Sequence, residues 1–189
     1  MALEFDDHPF WDFSLKVYSS AGVGEACIAL QERRHIDVNL VLFNAWNGAS
    51  GRRVLSQREL DAALAAAAAW NRDIVCGLRA VRDRLKGGIA PVPKERGDAL
   101  RKRILKIEID CEHAEQLALA SAVERPAQAD IPTAQRAEDA VANITAYFRH
   151  HGFTPDADDI AHMARVLVAA FPGIGRADLE EMCARAAAS

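Results

Sequence analysis

The segment Val38-Asn39-Leu40-Val41-Leu42-Phe43-Asn44-Ala45-Trp46 is apolar almost all the way round a helix. A helix with no wet face has to be enclosed, so several other helices must pack around it and the chain needs a bundle. Asp37 offers an N-cap and Asn47-Gly48 a stop. A short buried strand over residues 38–43 is the rival reading. In the helical one Asn39, Asn44 and Asn47 become interior or rim polar groups that need partners.

Composition supports helices. Half of the 189 residues are apolar, yet only 6% are aromatic and about a fifth are Ala, which favours helices in contact through small side chains over sheets. The expected fold is all-α, a helical bundle of about five main helices with two or three shorter C-terminal ones. No apolar run is long enough to span a bilayer. The acids near the start, where a signal peptide carries Lys or Arg, and four scattered Cys without a CxxC pair point to the cytoplasm and reduced thiols.

Helices are expected over residues 9–19, 24–35 and 38–46. A fourth, opened by the capping-box spacing Ser56-Gln57-Arg58-Glu59, runs toward Lys86, with Gly77 as a point of interruption. After a Gly/Pro turn at 87–97, a helix over 98–122 places Leu100, Ile104, Ile107, Cys111, Ala114 and Ala118 on its core side. Pro126 and Pro132 bracket a linker. The division read from this is a bundle domain over 1–123, a linker over 124–132 and an extension over 133–189, containing three shorter helices and packed back on the bundle or standing as a smaller subdomain.

The run Phe10-Trp11-Asp12-Phe13-Ser14-Leu15 with Tyr18, then Ala26-Cys27, Leu30-Gln31 and Asp37-Val38-Asn39-Leu40 through Trp46 and Gly48, resembles a family of small, uncharacterised bacterial helical proteins. The likeness extends over roughly the first 120 residues, through Trp70, Leu78-Arg79 and the Glu108, Glu112 and Glu115 region. That family has no established activity, so the resemblance supplies no catalytic residues.

Glu108, Glu112 and Glu115 recur at offsets of four and three and share one helical face. Three carboxylates there suit a divalent cation or a raised pKa, and a metal-binding protein or enzyme is one candidate function. Against it, the di-metal bundles draw a Glu-x-x-His pair from each of two helices, which this sequence does not offer, and a solvated face paired with Arg and Lys is the plainer reading. His113 falls toward water, His8 toward a local cap, and His35, His150 and His162 reach a site only through tertiary packing. Cys27 and Cys111 read as inert core thiols. Cys76 has Arg72 and Arg79 one turn either side, which would lower its pKa if their side chains share its face.

Ten Lys and Arg against three acids fall between residues 79 and 106, a patch suited to an anion or nucleic acid. It lacks interleaved aromatics, and pairing with the acidic C-terminal third or a plain solvated face is the plainer use. The 48–53 loop lacks P-loop spacing. Trp11, Asp12, Tyr18, Asn39, Asn44 and Trp46, with Arg79 and Arg82, are the candidates for a pocket or interface. The leading expectation is therefore a helical binding or adaptor protein, with a protein partner or a second copy as ligand. No complete catalytic set is present, the sequence leaves any cofactor unknown, and no membrane role is indicated.

Overall fold

A computed structural model describes residues 5–189. Among them are nine α-helices: α1 (Pro9–Tyr18), α2 (Val23–Arg34), α3 (Val38–Ala49), α4 (Gln57–Trp70), α5 (Cys76–Arg84), α6 (Lys94–Ala122), α7 (Thr133–His150), α8 (Ala157–Ala170) and α9 (Arg176–Ala188). The fold is all-α, and residues 38–43 are helical rather than a strand. A single π turn, Asn71–Val75, joins α4 to α5.

Helix α3 is central, buried at every position from Asn39 to Gly48. Asp37 caps it, accepting from the Asn39 amide at 2.8 Å. The helix continues through Asn47-Gly48 instead of stopping there, because Gly48 provides the close approach to α7 that a larger residue would block. Asn44 and Asn47 donate to the Leu40 and Phe43 carbonyls of their own helix, while the side-chain oxygen of each is buried without a donor.

The helices beyond residue 132 share one core with the earlier ones. Ala140, Ile144, Tyr147 and Phe148 of α7, Leu167 of α8 and Leu179 of α9 are enclosed in the same hydrophobic cluster as Phe10, Leu30 and Phe43. Buried Asn143 of α7 ties down the loop before α4, accepting from the Leu55 amide and donating to the Arg53 carbonyl. The acids of α8 find their cations on α2. Arg34 reaches Asp156 and fully buried Asp159, each at 2.6 Å, and Arg33 reaches the same two carboxylates. The acidic C-terminal third therefore pairs with α2, not with the basic segment.

Two expectations for α6 are corrected. It starts at Lys94, four residues early, and its core face is the other one. Gly97, Glu108, Glu115, Gln116 and Leu119 are buried, whereas Leu100 and Ile107 are about half exposed and Ala118 is exposed. The periodicity of Leu100, Ile104, Ile107 and Cys111 describes an apolar stripe correctly but puts it on the wrong side. Polar partners on α3 and α5 claim the carboxylate face for the interior, and the apolar stripe is left outward.

Candidate functional site

A cavity of about 760 Å³ lies between α1, α2, the start of α3, α5 and α6. Of the residues singled out above, Trp11, Tyr18, Asn39, Arg79 and Arg82 line it, as do Glu108 and Glu112. Asp12, Asn44 and Trp46 do not. Asp12 is exposed on α1, Asn44 is a core residue, and Trp46 packs between Phe10 and Phe43 with the Arg52 guanidinium 4.1 Å over its ring. Trp46 borders a second, smaller hollow with His8 and Arg125.

The π turn sets the cavity wall. One extra residue in the turn advances the helix by about 100° relative to an α-helical path, and this turns Arg79 and Arg82 of α5 toward α6. Arg79 spends all three nitrogens there: Nε on Glu108 at 3.1 Å, Nη1 on the Gln31 amide oxygen at 2.6 Å and Nη2 on Glu112 at 2.9 Å. Arg82 Nε holds the other Glu108 oxygen at 2.6 Å. Glu108, 3% exposed, is thus neutralised by two guanidiniums. Burial raises the pKa of Glu112, a rise that Arg79 opposes.

Glu115 stands apart from that pair. It is 1% exposed and its Oε2 accepts from Asn39 at 2.9 Å and from Asn71 of the π turn at 3.3 Å. Its other oxygen faces the Asp37 carboxyl, and neither Glu115 Oε1 nor Asp37 Oδ2 has a donor outside this pair. Burial above all, and then the Asp37 carboxyl, pushes the Glu115 pKa up to about 9, while Asn39 and Asn71 oppose the rise. Burial raises Asp37 as well. The two acids hold one proton between them, on Glu115, because Asp37 caps the positive end of α3 and keeps its charge more easily.

The amide orientations follow from this pair. Asn39 must present its NH2 to Glu115, so its oxygen accepts from Gln116 Nε2 at 2.8 Å. Gln116 Oε1 is then left in the cavity wall with no donor, as is the hydroxyl of Ser14 on α1. Both residues are 3% exposed.

The three glutamates are committed to guanidinium, amide and carboxyl partners, and among the described residues no group of three His, Cys, Asp or Glu side chains is placed to hold a metal ion. His113 stacks flat on Trp11, with centroids 4.0 Å apart, and does not stand free in water. His8 does cap α1, accepting from the Phe10 amide. The Cys76 thiol is pushed up by burial above all, which outweighs the lowering by Arg79. Burial likewise takes Cys27 to about 12, and Cys111 is only partly buried. In the basic segment Arg79 and Arg82 turn inward to α6, and Lys94 pairs with Asp98.

Asp37, Gln116 and Gln31 are the site residues that sequence reasoning missed. Asp37 was legible only as a cap, and the amides gain meaning only from partners 48 or more residues away.

No curated protein and no solved structure matches the chain. Among the described residues no helix is long and apolar enough to cross a membrane. The family model described as "Protein of unknown function (DUF2390)" matches residues 9–119, a span that holds every residue lining the cavity, and the chain belongs to that family.

Proposed function

We propose that the protein is a binding protein that takes a small organic ligand into the cavity beside α6. The supporting observation is a space of about 760 Å³, within the range of about 300–1,000 Å³ usual for such sites. Its walls combine apolar side chains, Leu15, Ile28, Leu105 and Ile109, with a fixed polar floor. Four free cysteines fit a reducing compartment such as the cytoplasm. The test is native mass spectrometry of untagged protein, followed by extraction. A stoichiometric small molecule, lost when Ile109→Trp narrows the cavity, is the expected result. Protein that carries none, and whose Tm no compound of a metabolite library raises, counts against the reading.

A second reading, a protein partner or second copy, draws on the outward stripe of α6. Leu100 and Ile107 are each about half exposed, and Val81 and Ile74 of the neighbouring segment are exposed as well, apolar side chains of the kind that interfaces use. Light scattering of the protein and of Ile107→Glu tests it. An assembly dissociated by the charge supports the reading, and a monomer at all concentrations leaves a foreign partner as its only form.

A further inference from the structure

We propose that the turn between α5 and α6 docks the protein on an anionic lipid surface, with Ile89 and Val92 entering the headgroup layer and Arg84, Lys86, Arg96, Lys102 and Arg103 drawn to the lipid phosphates. This goes beyond the ligand reading and does not depend on the cavity. The contact is at headgroup depth, with no helix crossing the bilayer.

Four successive apolar residues, Ile89-Ala90-Pro91-Val92, occupy the turn, and all four are exposed. Val92 donates its amide to the Ile89 carbonyl at 3.0 Å and the two residues form an antiparallel bridge, which sets their side chains next to each other on one face of the hairpin. Ile89 is 46% and Val92 45% exposed. Neither adds to the core, and turn geometry asks for Gly, Pro, Asn, Asp or Ser and not for Ile or Val. The turn also stands clear of the other helices. A Cβ on Gly87 would meet nothing within 4 Å, and the nearest atoms to one on Gly88 are those of Lys94, across the hairpin.

Residues 84–103 carry seven Lys and Arg and two acids, in a chain of net charge −4. Among the described residues Lys94 alone of these seven has an ion pair, with Asp98. Arg84, Lys86, Arg96, Lys102 and Arg103 are exposed. The first two lead into the turn, Arg96 follows it in the first turn of α6, and Arg103 stands two helical turns beyond Arg96 on the same face. An anionic surface orients an acidic molecule whose exposed cations are gathered at one end, so that this end meets it first, and each cation near the lipid adds to the attraction. A lipid surface accommodates both features, aliphatic side chains below the headgroups and cations among the phosphates. A nucleic acid would use the cations but leave the aliphatic tip idle, and residues 84–103 contain no aromatic ring on which a base could stack. Two side chains on a narrow turn fall far short of the area of about 800 Å² per partner that a stable protein interface buries.

The test is co-sedimentation of the full chain with vesicles of phosphatidylcholine alone and with vesicles of phosphatidylcholine and phosphatidylglycerol in equal parts. The expected result is binding at least tenfold tighter to the anionic vesicles, weakened at least tenfold when salt is raised from about 0.1 M to about 1 M and the Debye length shrinks from about 10 Å to about 3 Å. Ile89→Ser with Val92→Ser, and separately Lys102→Glu with Arg103→Glu, should each keep the wild-type Tm and weaken binding to the anionic vesicles at least tenfold. Equal binding to both vesicles, or none to either, overturns the proposal. Wild-type binding by the serine variant overturns the insertion of the tip, and wild-type binding by the glutamate variant overturns the role of the cations. A single-stranded RNA oligomer bound more tightly than the anionic vesicles, and equally well by the serine variant, assigns the basic segment to nucleic acid and overturns the lipid surface.

Discussion

Gly48 of α3 is packed so tightly against Ala140 of α7 that a Cβ at position 48 would fall onto the Ala140 backbone nitrogen and Cα. The obstacle is backbone inside a helix, so it cannot rotate away. Gly48→Ala is expected to separate the two central helices and to cost toward the upper end of about 1–3 kcal/mol, the usual range for overpacking. Urea denaturation measures this directly, and a loss below about 0.5 kcal/mol would show that the helices slide apart freely.

Glu115 makes stability depend on pH. Its folded pKa of about 9 lies above the ordinary carboxylate value of 4.5, so between those values the folded protein binds the proton and the unfolded chain does not. The stabilisation is complete below about pH 4.5 and is lost as pH rises through about 9. Thermal melts from pH 6 to 10 should show Tm falling with alkalinity. Glu115→Gln, which donates to Asp37 with no proton to lose, should flatten that decline, and an unchanged slope in this variant would place the titration elsewhere.

Arg79 joins three elements through Glu108, Glu112 and Gln31. Replacing it by Met leaves buried Glu108 with one guanidinium and should cost about 3–5 kcal/mol, as removal of one member of a buried ion pair does. Arg82→Met should cost less, because Arg79 still spans both glutamates. The paired change Arg79→Met with Glu108→Leu should recover part of the loss, and strict additivity in that double-mutant cycle would contradict the coupling.

The reversed face of α6 is open to test by substitution. Leu100→Ser and Ile107→Ser should change monomer stability by no more than about 0.5 kcal/mol, whereas Leu119→Ala, at a fully buried position, should cost about 2–5 kcal/mol. Chemical denaturation of the three variants ranks them, and the opposite order would restore the apolar stripe to the core.

The enclosed α3, the capping box at Ser56 and Glu59 and the Pro/Gly breaks were legible in the sequence because each rests on local chemistry. The face of α6 was not. Hydrophobic periodicity ranks Leu100, Ile104 and Ile107 above Glu108 and Glu115, and nothing within α6 reveals that Arg79, Arg82 and Asn39 come from other helices to neutralise those acids. Trp11, Tyr18, Asn39, Arg79 and Arg82 line one cavity, and Trp46 was drawn in with them because an aromatic residue on α3 reads alike whichever side it faces. Asp37 concealed a second role behind its first, since a capping carboxylate has one oxygen to spare and the sequence does not say what that oxygen meets.

The π turn at Asn71–Val75 carries a consequence for how such a cavity is gained or lost. Upstream of it, Leu60, Ala63 and Ala67 keep phase with the core. Downstream, Arg79 and Arg82 keep phase with α6. Deleting one residue from the turn would restore an unbroken α-helix and swing both arginines about 100° away from Glu108, with every side chain of the wall still encoded. The arginine wall therefore depends on one codon of spacing as much as on the identity of any residue in it, and a relative that differs by a single-residue gap here would keep the composition of the site without its geometry.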